Sequence, residues 1–382
     1  MAGYDAIVLG AGGVGSSALM HLALRGARVL GIDRFAPGHD RGSSHGQTRL
    51  IRQAYYEHPD YVPLVLRSFE LWGELEQRVG ETLYQQVGLL QIGLKQGEVL
   101  SGVRTSASHH GLEIDELSAG QSESRFPGFR VPSSCEAIFE ARAGYLLVER
   151  CVEAHAKAAL QLGAELKTGE TVRSWRAEGQ GVVVETDRGL YSADRLIVTV
   201  GAWAGSLLAD LRIPLVVRRK PLYWFRTRNG TYQADRGCPA FLYDLPSGCF
   251  YGVPQIDPRG IKVAQHTGGP VVDDPLTVDR EMDPADQEAV AAFVAEYLEG
   301  ATTQCTDHTV CMYTMTPDAH FIVDRHPEYP QVALAAGLSG HGFKFTSVLG
   351  ELLCQLALDG RTSLPIGFLS CRRASLLVRQ MK

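Results

Sequence analysis

The chain opens on an apolar run, Tyr4 to Leu9 (YDAIVL), that breaks at Gly10, Gly12, Gly13 and Gly15. Apolar positions then recur at helical spacing through residues 16–26 (SSALMHLALRG), and a second apolar run ends at Asp33. This pattern predicts strand, glycine turn, helix and strand within about 30 residues. Residues 34–55 are polar and rich in glycine and predict a loop; helical spacing resumes over 61–80, and 84–93 reads as a strand. His109 and His110 fall in a polar stretch without ligand spacing, which predicts a solvated loop. Residues 148–162 predict a helix closed by Gly163, and 164–203 predict short strands, the last of them (LIVTV) meeting Gly201. Residues 215–270 alternate as an antiparallel sheet, Asp283-Pro284 opens a helix to about Leu298, and strands return near 306–316, 320–324 and 332–336. A last helix begins just beyond Lys344, with Phe345, Val348, Leu349, Leu352, Leu353 and Leu356 on one face. No internal repeat is visible.

The first four elements carry chemistry. In a strand–turn–helix context, Gly10, Gly12 and Gly15 let backbone approach a pyrophosphate, and the helix N-terminus offers unpaired N–H groups and a positive dipole end. Asp33 would accept hydrogen bonds from ribose hydroxyls and repel a 2′-phosphate. The fingerprint alone does not separate FAD from a nicotinamide cofactor.

Composition narrows the class. At 382 residues the chain is long for one core, and two domains are expected. A net charge of −6 gives no reason to expect nucleic acid or an anionic membrane as partner. No run of about 18 apolar residues predicts a membrane span. The start lacks a basic and apolar leader, and the final Gln380-Met381-Lys382 is not a Ser-Lys-Leu address, so a cytoplasmic location is expected. Eight cysteines are scattered with no pair two to four residues apart, which predicts reduced, mostly buried thiols and no metal site.

Four segments taken together, GSSHGQTRLIR (42–52), IKVAQHT (261–267), VCMYTMTPD (310–318) and GLSGHGFKFTSVLGE (337–351), resemble the monomeric sarcosine oxidase family, with N-methyltryptophan and L-pipecolate oxidases, among the D-amino-acid-oxidase-like flavoproteins. The likeness runs through nearly the whole chain in order. It implies an α/β (α+β) fold: a Rossmann-type FAD domain over 1–85, 146–215 and 317–382, interleaved with an antiparallel or mixed-sheet substrate domain over 86–145 and 216–316.

The resemblance also implies roles for individual residues. Cys311 would join the 8α-methyl of FAD through sulfur, a reaction that needs a thiolate and nearby cations. His45 and Arg49 would face the flavin ring and offset charge at its N1–C2=O end. Arg52 and Lys344 would hold a substrate carboxylate, the guanidinium by a fork and the ammonium as a point charge. Lys262 would promote oxygen reduction, and His266, four residues on and on the same strand face, would contact the substrate amine. Tyr251 and Tyr313 would wall the cavity. Gly340, His341, Gly342 and Phe343 would lay backbone against the flavin; Arg34, Ser43, Ser44, Thr48, Val172, Gly201 and Trp203 would line the rest of the cofactor. Taken singly, each has a plainer reading as a core aromatic, a loop arginine or a strand residue.

The function implied is oxidation of a small secondary amino acid, N-methyl or cyclic, by O₂ to an imine and hydrogen peroxide, by a monomer, with sarcosine as the simplest substrate. N-methyltryptophan, pipecolate and a biosynthetic cyclic imino acid require the same clamp. Two other classes stay open at this point: a nicotinamide-dependent dehydrogenase and a non-catalytic nucleotide-binding module. The first leaves Cys311 and the 340–344 loop without a task.

Overall fold

The computed structural model describes residues 3–377; the C-terminal Gln380-Met381-Lys382 lies outside them. Three sheets organise the chain. The first has eight strands and carries the N-terminal fingerprint. Its strand Tyr4–Leu9 lies between Val29–Ile32 and Leu190–Val198, parallel to both. Glu165–Lys167 extends one side, and Val332–Ala336 with Ile322–Arg325 continues beyond Leu190–Val198. All four residues of Val29–Ile32 and the last four of Tyr4–Leu9 are buried, as parallel strands covered on both faces should be. Helices Gly13–Leu24, Val148–Gln161 and Thr346–Leu358 cover this sheet, Gly13–Leu24 packing on both of the others, and share a core with helix Tyr61–Val79.

The second sheet also has eight strands, in the order Ala301–Met315, Val216–Thr227, Ile261–Gln265, Gly248–Val253, Ala240–Leu245, Leu89–Leu94, Cys135–Glu140 and Asp115–Leu117. Its pairings are antiparallel except Ala240–Leu245 against Leu89–Leu94. The strands within 215–270 are antiparallel to one another, as their alternation predicts, and the sheet becomes mixed where Leu89–Leu94 joins it. Helix Pro284–Tyr297 starts at an Asp283 cap that accepts from the Ala285 amide, and buries Phe293 in a stack on Phe250 with ring centroids 4.5 Å apart. A small third sheet, Thr48–Ile51, Gly144–Leu147 and Tyr84–Gln86, links the two large ones.

Three expectations are corrected. Residues 34–55 are not all loop: Thr48–Ile51 pairs with Gly144–Leu147, a long-range partner that local polarity cannot reveal. His109 and His110 end a helix, Glu98–His110, rather than sitting in a solvated loop. Its serines and glycine are poor helix formers, and the packing of buried Val99, Leu100 and Val103 overrides them. The 84–93 strand is two strands, Tyr84–Gln86 and Leu89–Leu94, in different sheets.

Six of the eight cysteines are buried, Cys305 and Cys371 are half-buried, and all are free. No described helix is long and apolar enough to cross a membrane.

Candidate active site

One long cavity runs from the N-terminal fingerprint to the second sheet. At one end it is lined by Gly10, Gly12, Asp33, Arg34, Glu170, Val172, Gly201 and Trp203. At the other it is lined by Arg49, Arg52, Tyr251, His266, Tyr313 and Lys344. Ser43, Ser44, Gly340, His341 and Gly342 also line it. Gly15, His45, Thr48, Lys262 and Cys311 do not reach its wall and stand behind it.

The fingerprint divides its labour. A Cβ on Gly15 would sit 1.7 Å from the Gly10 carbonyl oxygen, so this glycine serves helix–strand contact. A Cβ on Gly12 would meet nothing nearer than Ser44 Oγ at 4.0 Å and would stand in the space a pyrophosphate needs. Helix Gly13–Leu24 has no side-chain cap and no acidic residue in its first turn, leaving its positive end to a ligand. Asp33 accepts from the amides of Ala11 (2.6 Å) and Phe35 (2.8 Å), and burial raises its pKa. Its two oxygens thus brace the turn and keep further acceptor capacity for ribose hydroxyls. Glu170, missed in the sequence because it stands in a turn without a motif, lines the same end.

The residues present fit FAD. Trp203 Nε1, Thr314 Oγ1 and Thr346 Oγ1, all on cavity-lining residues, are buried without a partner among the described residues. Buried polar groups are rarely left so, and a flavin dinucleotide brings the acceptors they lack.

Arg49 ties two segments together. Its guanidinium donates to the carbonyls of Thr48 (2.8 Å) and Ser43 (3.0 Å) and to Cys311 Sγ (3.1 Å). Ser43 Oγ donates to the Met312 carbonyl (2.7 Å), so the 43–49 segment and the cysteine strand are fixed to each other. His45 is buried with Nε2 unpartnered; burial and the charge of Arg49 lower its pKa to about 4, so it is neutral at pH 7. It therefore adds no positive charge of its own.

A second cationic cluster closes the far end. Arg52 is 3% exposed, stacked against the rings of Tyr55 and Tyr56 at 4.2 and 4.5 Å, and one terminal nitrogen bonds both oxygens of Glu57 at 2.8 Å. The buried carboxylate of Glu140 holds the Gln53 and Ala54 amides at 2.5 and 3.1 Å, which sets the backbone just beyond Arg52. Lys344 Nζ donates to the His341 carbonyl at 2.8 Å, and burial with the Arg52 charge brings its pKa down to about 7. Burial pushes Glu57 up, but Arg52, His341 and Lys344 outweigh it and hold the carboxyl at about 2. Glu57, Tyr55 and Tyr56 escaped the sequence reading; the only trace is an acid five residues after Arg52. The loop Gly340–Gly342 needs glycine at 340, where φ is +83° and a Cβ would strike the Tyr313 ring at 2.4 Å. The His341 amide is already engaged by the Leu338 carbonyl.

His266 and Tyr313 meet at 3.4 Å (Nδ1 to the phenol oxygen), and Tyr251 lies beside them. Burial, then the charge of His341, lowers the His266 pKa to about 3, and burial raises both phenols, so all three are neutral at pH 7. Lys262 is fully enclosed: Nζ donates to the carbonyls of Gly46 (2.6 Å) and Thr48 (2.7 Å) and to Thr48 Oγ1 (3.1 Å). Burial, then the Arg49 charge, pushes its pKa well down. Three acceptors around one nitrogen match the three N–H donors of an ammonium and oppose that push.

With this geometry in place, the chain can be set beside known proteins. Residues 5–356 match the family described as FAD dependent oxidoreductase. The chain is 41% identical over 378 residues to the monomeric sarcosine oxidase of Bacillus sp. (strain B-0618), covering 98% of this chain and 97% of that protein. It is 36% identical over 376 residues to the N-methyl-L-tryptophan oxidase of Yersinia pestis (strain Pestoides F), covering 97% and 99%. Among solved structures, NikD, an unusual amino acid oxidase essential for nikkomycin biosynthesis, superposes with a TM-score of 0.84 over 97% of this chain and 98% of its own, at 24% identity. That last likeness is one of fold.

Proposed function

The chain belongs to the FAD dependent oxidoreductase family, and from that premise we propose that it oxidises a small secondary amino acid, sarcosine being the simplest, with O₂ as acceptor. The observation that carries this reading is the buried pair Arg52 and Lys344 at one end of a cavity whose other end is a dinucleotide fingerprint. The enclosed charges of Arg52 and Lys344 favour an anion, which must compete with Glu57 for Arg52. A carboxylate seated there would place its amine beside neutral His266 and the two tyrosines.

FAD, when bound, would supply a two-electron acceptor for the hydride leaving the C–H next to nitrogen, with O₂ as the final acceptor giving hydrogen peroxide. The remaining steps belong to the protein and water. The amine must be uncharged to form the imine, and the positive field of Arg49, Arg52 and Lys344 lowers its pKa. The imine is hydrolysed by water, to an aldehyde and an amine where the substrate is N-methyl. His266, held neutral by burial, accepts a hydrogen bond from the amine N–H without competing for the carboxylate. Lys262 sets an ammonium where electrons pass to O₂, offsetting negative charge as it develops. Cys311 would be the attachment point for FAD, with the Arg49 guanidinium 3.1 Å from its sulfur.

The division of the chain into a cofactor domain (1–85, 146–215, 317–382) and a substrate domain (86–145, 216–316) is part of the same reading. It is supported by the segregation of those segments between the two large sheets. A monomer is the matching state, in line with the name of the Bacillus relative, monomeric sarcosine oxidase.

A peroxide-coupled screen tests the proposal. Sarcosine or another small secondary amino acid should release peroxide in proportion to imine product. Release with nicotinamide cofactors only, or with none of the panel, would overturn it.

A further inference from the structure

Gln47 adopts φ +73°, a conformation that side chains seldom take, and the Thr48 amide donates to the Gly46 carbonyl at 2.9 Å across it. This is a γ-turn of the positive-φ kind, rare and strained, and such strain persists only where the surroundings over-determine it. The surroundings do so from three directions. The Glu149 carboxylate accepts from the amides of Gly46 (2.6 Å) and Gln47 (3.1 Å). The Val148 amide donates to the Gln47 carbonyl at 3.0 Å. The Gln47 side chain reaches into the second sheet, accepting from Trp224 Nε1 at 2.9 Å and donating to Asp257 Oδ2 at 2.5 Å.

What the turn produces is a pair of carbonyls. Gly46 and Thr48, on either side of Gln47, both point their oxygens at Lys262 Nζ, and Thr48 adds its hydroxyl. The ammonium also lies over the Trp224 ring, 5.7 Å from its centroid, and the Arg259 guanidinium lies 4.7 Å from the same ring. Arg259 is in turn paired to Asp257 at 2.6 Å. Gln47 therefore bridges the carbonyl cradle and the indole, the two features that fix where the lysine charge sits.

We propose that Gln47 is a positioning residue for Lys262, holding a strained turn so that the lysine stays an ammonium at one place behind the flavin cavity. This rests on the reading of Lys262 as the oxygen-side charge. Besides its three acceptors, the ionisable groups facing Lys262 are Arg49 on the Thr48–Ile51 strand, Glu149 at the start of helix Val148–Gln161, Cys311 on the Ala301–Met315 strand, and Arg259 in the turn before Ile261–Gln265.

The test compares both half-reactions in the FAD-loaded enzyme. Gln47→Gly tolerates the positive φ but cuts the tether; Trp224→Phe keeps an aromatic ring while removing the indole donor and part of the ring face near Lys262 and Arg259, and serves if the glycine variant folds poorly. In each, reoxidation of substrate-reduced enzyme by O₂ should slow, about tenfold for Gln47→Gly, while anaerobic reduction by sarcosine changes by less than about twofold. The apparent pKa governing reoxidation should fall, because an ammonium with fewer acceptors gives up its proton sooner. Independently of turnover, the ¹⁵N-labelled indole resonance of Trp224 should shift and exchange faster in Gln47→Gly. Equal slowing of both half-reactions, or unchanged reoxidation with an unshifted pH profile, overturns the positioning role. Lys262→Met is the control: if it fails to slow reoxidation selectively, the oxygen-side reading falls and this inference with it; if it does slow it and Gln47→Gly does not, only the inference falls.

Discussion

At the scale of single residues, the site is a contest over one guanidinium. Glu57 holds Arg52 in the cavity at 2.8 Å, so a substrate carboxylate must share or displace it. Glu57→Gln should tighten binding of a simple carboxylate such as acetate by several-fold, of the order of 1 kcal/mol, read from the flavin absorbance. Weaker binding would mean that Glu57 assists the anion rather than competing with it. Lys344 adds a pH term. With its pKa brought down to about 7, it loses its charge as pH rises through neutrality, and acetate affinity should decline in step. The decline should vanish in Lys344→Met; a wild-type profile in that variant would assign it to another group. Cys311→Ala should leave flavin that separates from the protein on acid precipitation, where the native chain keeps it; acid-stable flavin in the variant would move the attachment elsewhere. Cys311, Arg52, Lys344 and Lys262 stand out by their motifs, and the structure gathers all four at or behind one cavity. Glu57 and Gln47 were not legible in the sequence, because one acts through a five-residue loop return and the other through partners in a different sheet.

At the scale of elements, helices Gly13–Leu24 and Val148–Gln161 bury two histidines with unpartnered nitrogens, His21 and His155. Burial lowers them to about 4 and about 3. Both are bases held neutral by folding, with an unfolded value near 6.5, so the unfolded chain binds more protons between those limits. Stability is fully present above about 6.5 and falls as pH drops toward 4, by about 1.4 kcal/mol per unit for each histidine. His155→Phe should flatten the pH dependence of the denaturation midpoint by about one proton over that window. An unchanged slope would mean that the ring is hydrated or partnered in solution. The elements themselves were read correctly where periodicity is strong, as in Tyr61–Val79, Val148–Gln161 and Thr346–Leu358. Glu98–His110 and Thr48–Ile51 were missed because distant packing, not local pattern, decides them.

At the scale of the whole molecule, the fingerprint and the Cys311 and Lys344 segments come from opposite ends of the chain and line or flank one cavity. Their motifs announced that convergence, but the burial that sets each charge appears only in three dimensions. His45 shows the limit: a basic residue by type, it is neutral in place. The central claim is that this cavity oxidises an amine presented by its carboxylate. The most direct measurement is anaerobic mixing of the flavin-loaded protein with sarcosine and, separately, with dimethylamine, which has the same amine and no carboxylate. Sarcosine should bleach the flavin, with colour and peroxide returning on admission of O₂, and dimethylamine should not. Equal bleaching by both, or by neither, would contradict the account.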